Sequence, residues 1–101
     1  MKIELKNNSA RIIPGESINL SNAEEFKDKF LELVEEKNIK KIIIDFKNVE
    51  KIDSSGLGKL LLFNKITEEN EGSLRIENIN SQYVRNVFNM VDLKDTMDLD
   101  L

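Results

Sequence analysis

The run Lys40-Lys41-Ile42-Ile43-Ile44-Asp45-Phe46 is the feature that most limits the fold. Three β-branched residues in succession favour extended backbone. A short apolar run without polar alternation reads as a strand covered on both faces, hence a central one. Its flanks have a different period. Before it, Ala23, Phe26, Phe30, Leu33 and Val34 recur at helical spacing, opposite Glu24, Lys27, Asp28, Glu32, Glu35 and Glu36. After it, Leu57, Leu60, Leu61 and Ile66 form a stripe to about Glu69, wide enough to predict a well-buried helix. A strand set between amphipathic helices implies parallel crossover connections.

The remaining elements fit around this centre. Ile3 and Leu5 alternate with polar residues, Asn7-Asn8 signals a turn, and residues 10–13 resume as a strand, which together predict a hairpin. Pro14-Gly15 stops its second strand. Ser21 with Glu24 forms a capping box that starts the first helix, which should end near Lys37-Asn38. Val49 and Ile52 continue the buried chain beyond the central strand. Glu71-Gly72 marks a turn before a strand at residues 73–76. Ser81 caps a third helix carrying Val84, Val87, Phe88 and Val91, with Leu93 packed behind it. Residues 97–101 alternate again and predict a short last strand. The order is that of an α/β chain with parallel crossovers beside a hairpin, in a single domain of residues 1–101.

Composition removes several kinds of chemistry. The chain has no Cys and no His. Thiolate chemistry, disulfides, the commonest general base and the commonest transition-metal ligand are therefore missing, and neither a cofactor nor a metal site is expected. A net charge of −4 argues against direct nucleic-acid binding, which needs a concentrated basic face. No apolar run approaches the roughly 20 residues of a membrane span, and the first residues lack a signal-peptide core. The chain is expected to be cytoplasmic, and a monomer or weak dimer.

The segment Asp53-Ser54-Ser55-Gly56-Leu57-Gly58 is small and polar between apolar neighbours. It falls where a strand passes into the second helix. A helix N-terminus has backbone N–H groups without intrahelical partners and a partial positive charge. It can accept a phosphate, whether from a ligand or on a modified serine. Asp and Ser are also ordinary capping residues, and capping alone accounts for them. Gly56 and Gly58 suit tight turns or close packing. Gly58 is the more informative, because a glycine inside a helix is unfavourable by roughly 1 kcal/mol against Ala. Either close packing or the approach of a partner would require it.

Other readings of the segment fall short. A serine nucleophile at Ser54 or Ser55 has no His to activate it, and Ser–Lys chemistry with Lys51 or Lys59 is possible only on paper. No Walker A loop is present, and Gly56-x-Gly58 lacks the third glycine of a dinucleotide site. Asp95, Asp98 and Asp100 lack the glycine and spacing of an EF-hand loop, and suit a polar turn followed by a strand with one wet side.

The stretch Asp45-Phe46-Lys47-Asn48-Val49-Glu50-Lys51-Ile52-Asp53-Ser54-Ser55-Gly56-Leu57-Gly58-Lys59-Leu60-Leu61 closely resembles the signature of STAS domains, among them the bacterial anti-sigma factor antagonists. Gly72-Ser73-Leu74 and Val87-Phe88-Asn89-Met90-Val91-Asp92-Leu93 resemble softer motifs of the same family. The resemblance implies a STAS-like mixed β-sheet with an N-terminal hairpin and helices packed mainly on one face. It also implies a mechanism without catalysis. The unphosphorylated antagonist binds an anti-sigma factor that is a serine kinase, phosphorylation of the first serine after the motif's Asp breaks the complex, and a serine phosphatase resets it. That serine matches Ser54, with Ser55 the runner-up acceptor. Residues Asp53 to Gly58 and the Asn19 loop would then touch the partner. Asn19 stands where the family commonly has Asp, in a stretch one residue longer than usual. An alternative is a STAS scaffold or sensor component of a signalling assembly or transport system that binds a lipid or nucleotide.

Overall fold

A computed structural model describes residues 1–101. Two antiparallel strands, β1 (Lys2–Lys6) and β2 (Ser9–Ile13), form the predicted hairpin, with Asn7 in the left-handed region at φ 56°. The strand β4 (Lys41–Asp45) pairs in parallel with β2 on one side and β6 (Ser73–Glu77) on the other. The short β7 (Asp98–Leu99) closes the sheet beside β6, giving the order β1-β2-β4-β6-β7. Two shorter strands, β3 (Ser17–Ile18) and β5 (Lys51–Ile52), form a separate parallel pair. The helices are α1 (Ala23–Leu31, continued by a π-helical turn Glu32–Glu36), α2 (Ser54–Glu69) and α3 (Gln82–Met90). The fold is the predicted mixed α/β sheet with an N-terminal hairpin.

Alternation along each strand divides the sheet into two unlike faces. Ala10, Ile12, Ile42, Ile44, Leu74 and Ile76 are all buried on one face. The aromatic residues of the helices complete this core. Phe63 of α2 stacks on Phe30 at 4.1 Å between centroids and meets Phe26 edge-on at 4.9 Å. Removing such a ring from a filled core costs about 3–5 kcal/mol, so these contacts fix where α2 lies against α1.

The other face carries charge, which corrects the expectation that β4 is covered on both sides. Ile43 is only half-buried, flanked in register by Arg11 and Arg75. Arg11 pairs with Asp45 at 3.0 Å and Glu77 at 3.2 Å, while Arg75 faces Glu77, Asp98 and Asp100. A β-branched run reads alike whether helices or long arginine stems lie over it. Asp98 and Asp100 are thus members of an ion-pair ladder at a strand with one wet side, and Asp95 lies in the turn before it.

The start of α1 also differs from the expected capping box. The N-cap is Asn22, and its side chain is engaged elsewhere: Oδ1 accepts from the Asn19 N–H and Nδ2 donates to the Ser17 carbonyl. Ser21 donates its hydroxyl to Asn19 Oδ1, and Glu24 pairs with Lys27 and Lys59. The polar side chains of the loop satisfy one another, so Ser21 never reaches the helix. At its other end α1 finishes in the π turn, with Asn38 at φ 54° closing it. The extra residue keeps both Leu33 and Val34 buried. No helix is long and apolar enough to cross a membrane.

Candidate functional site

The segment from Asp53 to Gly58 forms the beginning of α2, and β5 delivers it there. Asp53 is the N-cap, in extended conformation, and its Oδ1 accepts from the Gly56 N–H at 3.0 Å. Capping of this kind contributes about 1 kcal/mol to a helix. The second oxygen, Oδ2, accepts from the Leu20 N–H at 3.1 Å. The Asp53 N–H itself donates to the Ile18 carbonyl. One residue therefore ties the Asn19–Ser21 loop to the first turn of α2.

Gly56 allows that approach. A Cβ there would sit 2.6 Å from Ile18 Cγ2 and 2.7 Å from the Ile18 carbonyl oxygen. The close-packing requirement thus belongs to Gly56. At Gly58 a Cβ would meet nothing within 4 Å beyond its own stretch of helix. Neither glycine has a positive φ, so no tight turn is involved. Of the two explanations for Gly58, packing inside the molecule is removed.

The two serines are placed differently. Ser54 is the first residue of α2 and is exposed, whereas Ser55 is half-buried. The exposed side of α2 continues along Gly58, Leu61 and Leu62, the two leucines being 41% and 37% exposed. This corrects the expectation of a well-buried helix. Only Gly56, Leu60, Phe63 and Thr67 are buried, because α2 packs along one narrow line; Leu57 is half-buried against the core, and Leu61 and Leu62 point away from it. Lys59 is held toward α1 by Glu24, whose carboxyl lies below its usual range because of hydrogen bonds from Lys27 and Lys59.

Asn19 lies beside Asp53, as the loop's position requires. Its Oδ1 accepts from both the Ser21 N–H and the Ser21 hydroxyl, and its carbonyl accepts from the N–H groups of Asn22 and Ala23. With Lys51, Asp53 and Tyr83 it lines an open depression of ≈ 190 Å³. Two features of this surface escape sequence reading. Leu20 is 78% exposed yet held at its backbone by Asp53, and Tyr83 is 53% exposed at the rim. An apolar residue inside the polar loop Asn19-Leu20-Ser21 was the only signal available for the first. No cluster of three acidic side chains is arranged to hold a metal ion.

A family model described as the STAS domain matches residues 7–101. No relative among curated proteins matches the chain. Several solved structures share its fold. TM1081 of Thermotoga maritima, described as a candidate anti-sigma factor antagonist, superposes with a TM-score of 0.89 at 23% identity, over 99% of this chain and 86% of that one. The anti-sigma factor antagonist SpoIIAA in its unphosphorylated form gives a TM-score of 0.77 at 20% identity, covering 99% of this chain and 86% of its own. The phosphorylated form of SpoIIAA, a Bacillus cell-fate determinant, gives 0.76 at 22% identity, covering 99% and 90%. At these identities the likeness is one of fold.

Proposed function

The chain belongs to the STAS domain family, and we propose that within it the protein works as an anti-sigma factor antagonist switched by phosphorylation of Ser54. The observation that carries this reading is the exposure of Ser54 as the first residue of α2, while Ser55 is half-buried. In its unphosphorylated state the protein binds an anti-sigma factor that is also a serine kinase, and sigma factor is released. The kinase then transfers the γ-phosphoryl group of ATP to the Ser54 hydroxyl. A P–O bond forms to Oγ, the bond to the β-phosphate breaks, ADP leaves, and the kinase takes up the hydroxyl proton. A serine phosphatase reverses the modification by hydrolysis.

Charge is the means of release. A phosphoserine carries about −1.5 to −2 charges at pH 7. The helix N-terminus tolerates that charge within the molecule, because its dipole and free N–H groups favour an anion. On a contact surface the same charge must be desolvated, which opposes binding. SpoIIAA shares its fold with this chain in the unphosphorylated and the phosphorylated form to nearly equal degree, with TM-scores of 0.77 and 0.76. That supports a switch acting on the surface and leaving the fold alone. The protein is a substrate of the kinase and supplies no catalysis of its own.

Incubation with the cognate serine kinase and ATP, followed by phosphosite mapping, tests the reading. One phosphate on Ser54 is expected. Phosphate on Ser55 alone, or on neither serine, would refute the assignment.

A further inference from the structure

The strand β1 is an open edge of the main sheet, paired only on its β2 side. In an antiparallel pair, alternate residues bond inward. The turn Asn7-Asn8 makes Lys6 and Ser9 a bonded pair, so Glu4 and Lys2 also bond to β2. The N–H and C=O groups of Ile3 and Leu5 are therefore directed outward, as a template for another strand. The side chains divide in the same way. Ile3 and Leu5 stand opposite Ile12 and Ala10 on the helix-covered face, whereas Lys2, Glu4 and Lys6 alternate onto the charged face. There Lys2 Nζ lies 3.5 Å from Glu4 Oε2. Along the same edge Met1 and Leu5 are 45% and 52% exposed.

We propose that β1 pairs antiparallel with β1 of a second copy of this chain, with the two-fold axis at Ile3. Charge selects both the occupant and the register. Centred on Ile3, Lys2 of each copy faces Glu4 of the other, the two Ile3 residues exchange their outward backbone bonds, and each Leu5 covers the opposite Met1. Centred on Glu4, the two Glu4 carboxylates would face each other and Lys2 would face Lys6, so like charges would meet. Centred on Leu5, Glu4 would face Lys6, but Ile3 would need an extended Asn7, which is turned at φ 56°. A slip of one residue would carry the charged side chains onto the apolar face. One register thus satisfies the charged row and the apolar row together. It joins the main sheets of the two copies into one continuous sheet. The contact is smaller than a standard interface, so the dimer is a weak one, with a dissociation constant on the order of 100 µM. The proposal stands apart from the reading of Ser54, because β1 carries none of that site.

Sedimentation equilibrium of the full chain tests this, with Lys2→Glu and Glu4→Lys studied alone and as an equimolar mixture. Wild type should pass from monomer to dimer between roughly 10 µM and 1 mM. Each variant alone sets like charges opposite each other across the axis and should dimerise at least about tenfold more weakly. The mixture should recover a dimer of about wild-type affinity, because the substituted charges complement one another between copies. A folding defect gives no such recovery, since mixing repairs nothing within a chain. Amide exchange reads the register: the Ile3 and Leu5 N–H groups should exchange more slowly as concentration rises, while that of Glu4 is protected throughout. The proposal is overturned if wild type stays monomeric to about 1 mM, if either variant alone dimerises as wild type does, or if the mixture recovers nothing. Growth beyond the dimer would equally overturn it, by assigning the edge to the β7 side of a further copy.

Discussion

Two aspartates, Asp45 at the end of β4 and Asp53 after β5, hold two regions of opposite character. The Asp45 side chain is only 4% exposed and accepts from Arg11, Asn78 and the Lys47 N–H, each at 3.0 Å. Every partner comes from the chain itself, and the region closes on the helix-free face of the sheet. Asp53 is exposed and also uses both oxygens, on Gly56 and Leu20. Around it, though, Ser54, Gly58, Leu61, Leu62 and the Leu20 side chain are all open to solvent. One region is stabilised by what it satisfies, and the other presents what it leaves free. Substitutions in the first should read out as lost stability, and in the second as lost recognition.

The largest effect should come from Asp45→Ala. It leaves the partly buried Arg11 guanidinium without its shorter ion pair and strips the Asn78 amide and Lys47 N–H of their acceptor. A loss of about 3 kcal/mol is expected in urea denaturation, with partner affinity of the folded fraction unchanged. Gly56→Ala should follow at about 2 kcal/mol, because Ile18 must move away from α2. Unlike Asp45→Ala, it should also perturb the Leu20 amide in NMR spectra, since the loop that Asp53 holds is displaced.

A smaller effect sharpens the contrast through pH. Burial pushes the Asp45 carboxyl up, but hydrogen bonds from Asn78, the Lys47 N–H and Arg11, with the Arg11 charge, outweigh it and hold the carboxyl below its usual range. The folded state therefore releases this proton more readily than the unfolded state does. The resulting stability is fully present above the ordinary aspartate pKa of about 3.9 and is lost as pH falls through the lower folded value. Denaturation midpoints measured across that acid window should fall more steeply for wild type than for Asp45→Asn.

Much of this division was legible in the sequence, and the rest was not for physical reasons. The hairpin and the three helices followed from periodicity, as Phe26, Phe30 and Phe88 are buried where their spacing puts them, and the central strand followed from its β-branched run. Ser81 was readable as a cap and accepts from the Val84 N–H. Ser21 was misleading, since its hydroxyl is drawn into the loop by Asn19 Oδ1 and the helix starts one residue later, at Asn22, without a side-chain cap. The charged face could not be read from Arg11, Arg75 and Glu77 singly, because only strand register brings them together. The Asp53–Leu20 bond spans 33 residues and leaves no local mark. Gly56 and Gly58 look alike in a string of letters, and only the packing of Ile18 separates them.

The comparison comes down to whether the region around Ser54 is a contact surface governed by charge. Titration calorimetry of the cognate kinase against the protein before and after phosphorylation on Ser54 tests this most directly, with circular dichroism confirming an unchanged fold. A fall in affinity of about a hundredfold or more, equivalent to about 2.7 kcal/mol, is predicted. Equal affinity of the two forms would contradict it.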